Sequence, residues 1–261
     1  MVEHAPVLYH AEQGIAQISL NRPAARNAIN KDVLHHLASL LDHVKGDASV
    51  KAVILTGTGD TTFSAGADIR FLQQAAPLEV RALAQLAVAV THKIETLGKV
   101  VVAALNGVTL GGGLELAEAC MLRVAVRHAK LGHPEVRIGA VAGFGGTTRL
   151  PRLIGKGRAA DLLLTGRLVS AEEALQIGLV NRVVAPEDLL AETQDVVRDI
   201  LAQAPIAVQM TWEAIHRGLN LSLEESTLLG TDYFGLVAST NDFRTGTRAF
   251  LDKTSPTFSG N

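Results

Sequence analysis

The chain has 261 residues, 48% of them hydrophobic, enough to bury a sizeable core and near the upper edge of one domain, so one main domain with an appendage is expected. Its 24 Lys plus Arg nearly balance 26 Asp plus Glu, and no strong field invites nucleic acid or an anionic membrane. The single cysteine, Cys120, excludes an internal disulfide framework and a CxxC metal or redox motif, and itself reads as a small buried hydrophobe. In chain order, Met1-Val2-Glu3-His4 carries neither a basic, then apolar leader nor the Arg-rich look of a transit peptide, so a cytoplasmic location is the expectation. Val7-Leu8-Tyr9-His10 and Ile15-Ala16-Gln17-Ile18-Ser19-Leu20 flank Gly14 as a hairpin would, and Asn21-Arg22-Pro23 ends the second strand. Asn30 stands as a helix N-cap ahead of Val33, Leu34, Leu37, Leu40 and Leu41, which recur at helical spacing. Ala52-Val53-Ile54-Leu55-Thr56, closed by Gly57, reads as the next strand, and this strand–helix–strand order suggests a right-handed crossover.

The alternation repeats with a long helix from about Leu78 to Thr96, the β-branched run Val100-Val101-Val102, a glycine-rich turn, a short helix through Leu114 and Ala117, and the strand Leu122–Val126. This predicts an α/β fold. Although Val100 to Ala119 is largely apolar, Asn106, Thr109, Glu115, Glu118 and the glycines at 107 and 111–113 interrupt it, so it reads as buried core and not as a membrane span. After Val184 the strand-like runs stop and residues 187–252 read as three or four amphipathic helices. The division falls near residues 185–200, giving an α/β core over 1–195 and a helical region over 196–261.

No glycine-rich segment matches GxxxxGK[ST] or a strand-to-helix GxGxxG, so ATP and NAD are excluded; GxSxG and HExxH are also absent, which argues against a serine nucleophile and a zinc site. What remains is Phe63-Ser64-Ala65-Gly66-Ala67-Asp68-Ile69 and Asn106-Gly107-Val108-Thr109-Leu110-Gly111-Gly112-Gly113-Leu114-Glu115. Each places small residues just ahead of a helical stretch, where backbone N–H groups lack intrahelical partners and can point into a cleft. Two converging N–H groups make an oxyanion hole. Alone, Glu115 is a carboxylate favoured by a helix dipole and Glu135, after Pro134, an ordinary loop acid. Together, near donors aimed at developing negative charge, they are the parts needed for acid–base chemistry beside a carbonyl.

The segments Leu20-Asn21-Arg22-Pro23, Phe63–Ile69, Gly111–Glu115, Pro134-Glu135, Gly143-Phe144-Gly145-Gly146, Leu164-Thr165-Gly166, Glu173-Ala174, Gly178-Leu179-Val180-Asn181 and Ala249–Lys253 occur in the order and spacing of the enoyl-CoA hydratase/isomerase, or crotonase, family. The chain resembles that family over essentially its whole length. The resemblance implies a crotonase-like spiral of ββα units with a helical C-terminal trimerisation region, assembling as a trimer or a dimer of trimers. It implies an oxyanion hole at the backbone N–H groups of Ala67 and Gly112, catalytic acids Glu115 and Glu135, and Gly143 lining the water and acyl-carbonyl region. The same resemblance puts Arg26, Ala65, Asp68, Ile69 and Arg70 along the substrate, with arginine near the CoA phosphates, and has Phe250 and Lys253 reaching CoA on a neighbouring subunit. Ala24 and Ala25 stand where relatives often carry a CoA-contacting lysine, Met121 where aspartate commonly follows the cysteine, and Ala142 where proline is common.

The implied reaction is hydration of a 2-enoyl-CoA thioester to a 3-hydroxyacyl-CoA, with no metal and no cofactor beyond the coenzyme A carried by the substrate. The alternatives are an enoyl-CoA double-bond isomerase using a single glutamate, and a non-catalytic acyl-CoA- or RNA-binding relative. Retention of both glutamates and the lack of a basic stripe favour the hydratase.

Overall fold

The computed structural model describes residues 5–261, and the expectation read from Met1–His4 falls on residues outside that range. Strand β1 (Val7–Glu12) turns at Gln13-Gly14, both at positive φ as a primed two-residue hairpin requires, into antiparallel β2 (Ile15–Leu20). Helix α1 (Lys31–Gly46) starts at Asn30, whose side chain accepts from the Val33 N–H at 3.0 Å, and buries Val33, Leu34, Leu37, Leu41 and Val44 along one face. β3 (Ala52–Gly57) then pairs parallel with β2, and all six of its residues are buried. Strands covered on both faces carry such unbroken apolar runs.

From here the chain repeats a strand, a short strand and a helix. β3 leads to β4 (Thr62–Ser64), α2 (Ile69–Gln74) and α3 (Pro77–Glu95); β5 (Val100–Leu105) leads to β6 (Val108–Leu110) and α4 (Gly112–Glu118). β7 (Leu122–Val126) leads to β8 (Lys130–Gly132), then α5 (Gly146–Ile154) and α6 (Lys156–Thr165). β9 (Val169–Ser170), α7 (Ala171–Gln176) and β10 (Arg182–Val184) complete the sheets. The first strand of each repeat enters a six-stranded sheet of order β1-β2-β3-β5-β7-β10, and the second a four-stranded sheet of order β4-β6-β8-β9. This is the spiral of ββα units. The Val100–Ala119 segment forms β5, β6 and α4 in its interior, and among the described residues no helix is long and apolar enough to cross a membrane.

The chain divides into two compact units, residues 1–194 and 195–261, with the division inside α8 (Leu189–Leu201). In the second unit, α9 (Pro205–Gly218) packs on α10 (Leu223–Val237), whose N-terminus carries a capping box between Ser222 and Glu225. The carboxylate of Asp242, at the start of α11 (Asn241–Asp252), accepts from the Ser259 and Gly260 N–H groups, each at 2.8 Å, and so holds residues 259–260 back against that helix.

Candidate active site

Helix α4 lies wholly in the core, so its terminal backbone groups need partners from its own surroundings. At its C-terminal end the buried Arg123 guanidinium donates to the carbonyls of Cys120 (2.8 Å) and Ala117 (3.4 Å), and to Leu179 O at 2.7 Å. At the other end Gly111 adopts φ +49, a left-handed conformation that delivers the chain from β6 into the helix. The Gly112 N–H then emerges without an intrahelical acceptor.

The facing loop is held just as closely. Asn27, itself at positive φ, donates through Nδ2 to Thr58 O and Thr62 O, while Asn106 donates to Gly57 O and Gly59 O. Ser64 Oγ donates to Asn27 O and accepts from the Gly66 N–H. These bonds carry the turn after β4 against the start of α4. A methyl group on Gly112 would stand 2.7 Å from the Phe144 ring, which excludes any side chain there, and 3.5 Å from the Ala67 nitrogen, so the two residues' backbones lie close together. Among the described residues neither the Ala67 nor the Gly112 N–H is taken by a hydrogen bond. The two unpartnered amides are thus near one another.

Glu115 lies one helical turn further along α4 and is 1% exposed. Its Oε1 accepts from the N–H groups of Phe144 and Gly146, both at 2.7 Å. Burial pushes its carboxyl up to about 7, against the opposing pull of the Gly146 N–H and the His133 charge. Glu135 opens a short 3-10 turn over Glu135–Ile138, and its Oε1 sits where a methyl on Gly111 would approach to 2.8 Å. Both sequence-predicted acids thus border the first residues of α4. Glu135 Oε2 is buried with no hydrogen-bond partner among the described residues.

Sequence reasoning did not single out the groups behind these acids. Glu118 shares a face of α4 with Glu115 at i,i+3, and its Oε1 lies 2.8 Å from His133 Nε2 in a fully buried ion pair. His133 Nδ1 lies 3.6 Å from Glu135 Oε1, an ion-pair distance too long for a hydrogen bond. Burial lowers the affinity of this ring for a proton, but the charge and hydrogen bond of Glu118 together with Glu135 outweigh it and carry the imidazole up to about 10. Arg149 on α5 makes a bidentate pair with Glu95 on α3 (2.6 and 2.8 Å) and donates to Phe144 O at 3.0 Å, fixing the loop that supplies Glu115 with its donors. The available signals were the histidine two residues before Glu135 and the acid three after Glu115.

A cleft of about 640 Å³ opens beside the Ala67 amide and is lined by Arg26, Ala65, Asp68, Ile69 and Arg70, with Ala24 and Ala25 on its wall. Arg22, another lining residue, pairs with Asp68 at 2.9 Å and donates to Ala28 O at 2.7 Å, which braces the cleft floor. Asp68 also caps α2 by accepting from the Arg70 N–H at 3.2 Å. Gly143 is exposed, and a methyl there would meet only ordinary contacts. Phe250 and Lys253 lie on the second unit, Phe250 being 83% exposed and Lys253 ending α11 at φ +56. Cys120 is buried, its thiol pushed by that burial up to about 12, as suits a core hydrophobe.

The chain is thus an α/β spiral of ββα units in which two unpartnered backbone N–H groups and two carboxylates gather around the start of one buried helix, beside an arginine-bearing cleft. The chain is a member of the enoyl-CoA hydratase/isomerase family, whose model matches residues 10–261. It is 42% identical over 252 residues to a crotonyl-CoA hydratase from Syntrophomonas wolfei, covering 97% of each chain. A short-chain-enoyl-CoA hydratase from Clostridium acetobutylicum is 40% identical, with 95% of each chain covered. Among solved structures, enoyl-CoA hydratase from Bacillus anthracis superposes with a TM-score of 0.93 at 36% identity, over 98% of this chain and 100% of that one.

Proposed function

We propose that the chain hydrates 2-enoyl-CoA thioesters to 3-hydroxyacyl-CoA, with Glu115 and Glu135 sharing the acid–base work and the Ala67 and Gly112 N–H groups binding the thioester oxygen. The observation that carries this reading is how the two carboxylates are held. Glu115 is anchored through Oε1 by two backbone donors, which leaves its Oε2 for water, and Glu135 Oε1, beside Gly111 and 3.6 Å from His133 Nδ1, is the oxygen of that acid open to water while its Oε2 is shut in. Glu115 Oε2 and Glu135 Oε1 are thereby left for a water molecule held between them. That water adds its hydroxyl to C3, one glutamate taking its proton and the other delivering a proton to C2. As negative charge grows on the thioester oxygen, the paired amides stabilise it, a contribution of roughly 10²–10³ in rate per donor. With its carboxyl near 7, Glu115 exchanges a proton readily at neutral pH.

The reading needs no cofactor beyond the coenzyme A of the substrate, whose phosphates would meet Arg26 and Arg70 in the cleft. The second unit supports assembly as a trimer or dimer of trimers, because Leu223, Leu228, Phe234, Leu236, Phe250 and Leu251 all stand exposed on its helices. In the test, crotonyl-CoA hydration and double-bond migration of a 3-enoyl-CoA are assayed on wild type, Glu115→Gln, Glu135→Gln and the double variant. Hydration should fall at least about 10²-fold in each single variant, with little further loss in the double, since groups acting as a unit are non-additive. Wild-type isomerisation without hydration would replace this reading with that of an isomerase, and full hydration in Glu115→Gln would overturn the shared acid–base role of the two glutamates.

A further inference from the structure

His133 stands between three carboxylates. Its Nε2 lies 2.8 Å from Glu118 Oε1, its Nδ1 lies 3.6 Å from Glu135 Oε1, and its Cε1 packs beside Gly146, whose open side also faces the Glu115 side chain. Nε2 is hydrogen-bonded to Glu118, while Nδ1, buried without a hydrogen-bond partner among the described residues, has the Glu135 carboxylate as its near charge. Of the two nearby arginines, Arg123 is spent on the carbonyls ending α4 and on Leu179 O, and Arg149 on Glu95, Thr91 and Phe144 O. The ring is therefore the cation set directly against Glu135.

We infer that His133, clamped by Glu118, is a positioning residue for the hydration reaction: its charge holds the Glu135 carboxylate against the start of α4, with Oε1 presented to the reacting water. The inference rests on the reading of Glu115 and Glu135 as the catalytic pair. Glu118 touches neither substrate nor water in this scheme. It supplies the countercharge without which a buried ring, with no side-chain exposure, would lose its proton. The raised affinity of His133 for a proton, up to about 10, agrees with the geometry.

The experiment compares wild type with His133→Gln, Glu118→Gln and the two combined, reading kcat and KM for crotonyl-CoA across pH together with melting temperature. Each single variant should lose about tenfold or more in kcat with little change in KM, and in His133→Gln the titration near pH 7 should move up, because the cation favouring ionised Glu115 is gone while the opposing Glu118 charge stays. The double variant lacks both charges and contains no half of a broken ion pair, so its melting temperature and its pH profile should both return toward wild type while the kcat loss persists. Recovery of kcat along with stability would reduce the pair to a structural role and overturn the inference. Glu115→Gln and Glu135→Gln are assayed in parallel to separate the two failures. If those variants are inactive while the His133 and Glu118 variants keep the wild-type profile, only the inference falls; if they hydrate normally, the catalytic reading falls and this role with it.

Discussion

Helices α4 and α10 make opposite use of apolar sequence. All seven residues of α4 are buried, its C-terminal carbonyls are capped by Arg123, and its first turn is shaped by close approach to Ser64, Phe144 and Glu135. None of the fifteen residues of α10 is buried, and Leu223, Leu228, Phe234 and Leu236 all stand exposed. The first helix is positioned by its own surroundings, which hold the Glu115 carboxylate in place. The second presents an apolar face of the kind that a subunit interface covers. Position near the chemistry is over-determined, whereas the helical unit carries surface in excess of what it buries.

If α4 is held that firmly, ionising the buried Glu115 should come at a cost to stability. Glu115 has its carboxyl raised to about 7 in the fold against an ordinary 4.5, so between those values the native state binds the extra proton. Stability should fall as pH rises from about 4.5 through 7 and stay reduced above it, by an amount on the order of 3 kcal/mol. Glu115→Gln keeps an oxygen for the Phe144 and Gly146 N–H groups and removes the charge. Denaturant unfolding should show this variant more stable than wild type at pH 8, by up to about 3 kcal/mol, and close to it at pH 4. An unchanged pH dependence in Glu115→Gln would mean that the carboxylate is well solvated, against its burial.

A smaller effect is expected from packing alone. A methyl on Gly113 would stand 2.6 Å from Ser64 Cβ, and both groups are buried on backbone that cannot move independently. Gly113→Ala should cost roughly 1–3 kcal/mol and reduce hydration by displacing the Gly112 amide. Wild-type stability in that variant would show that α4 can slide. The smallest effect on folding, and the sharpest contrast, lies on α10. Leu228→Gln there should change unfolding free energy within about 0.5 kcal/mol, as surface substitutions do, while sedimentation reports a smaller species. An unchanged assembly would take Leu228 out of the interface.

Much of the fold was legible before any coordinates, for reasons that are local. The apolar runs at Ala52–Gly57 and Val100–Leu105, the Asn30 cap and the turn at Gly14 each mark an element through residues within a few positions of one another. The four-stranded sheet escaped notice because its strands are two or three residues long and lie inside glycine-bearing segments that read as turns. Glu115, Glu135, Ala67 and Gly112 came from the resemblance to a family and not from periodicity. Residue type alone left both acids ordinary.

Sequence by itself determined the α/β alternation, the helical character after Val184 and the family, because apolar periodicity, caps and ordered motifs are written along the chain. Tertiary structure alone decided that the Ala67 and Gly112 backbones lie close together, that Glu118 answers His133 across fifteen positions, and that Arg149 reaches Glu95 across fifty-four. Those partners are set by how successive ββα turns stack, and no local pattern encodes the stacking. The same stacking raises the Glu115 carboxyl, since desolvation depends on every chain segment that closes over it.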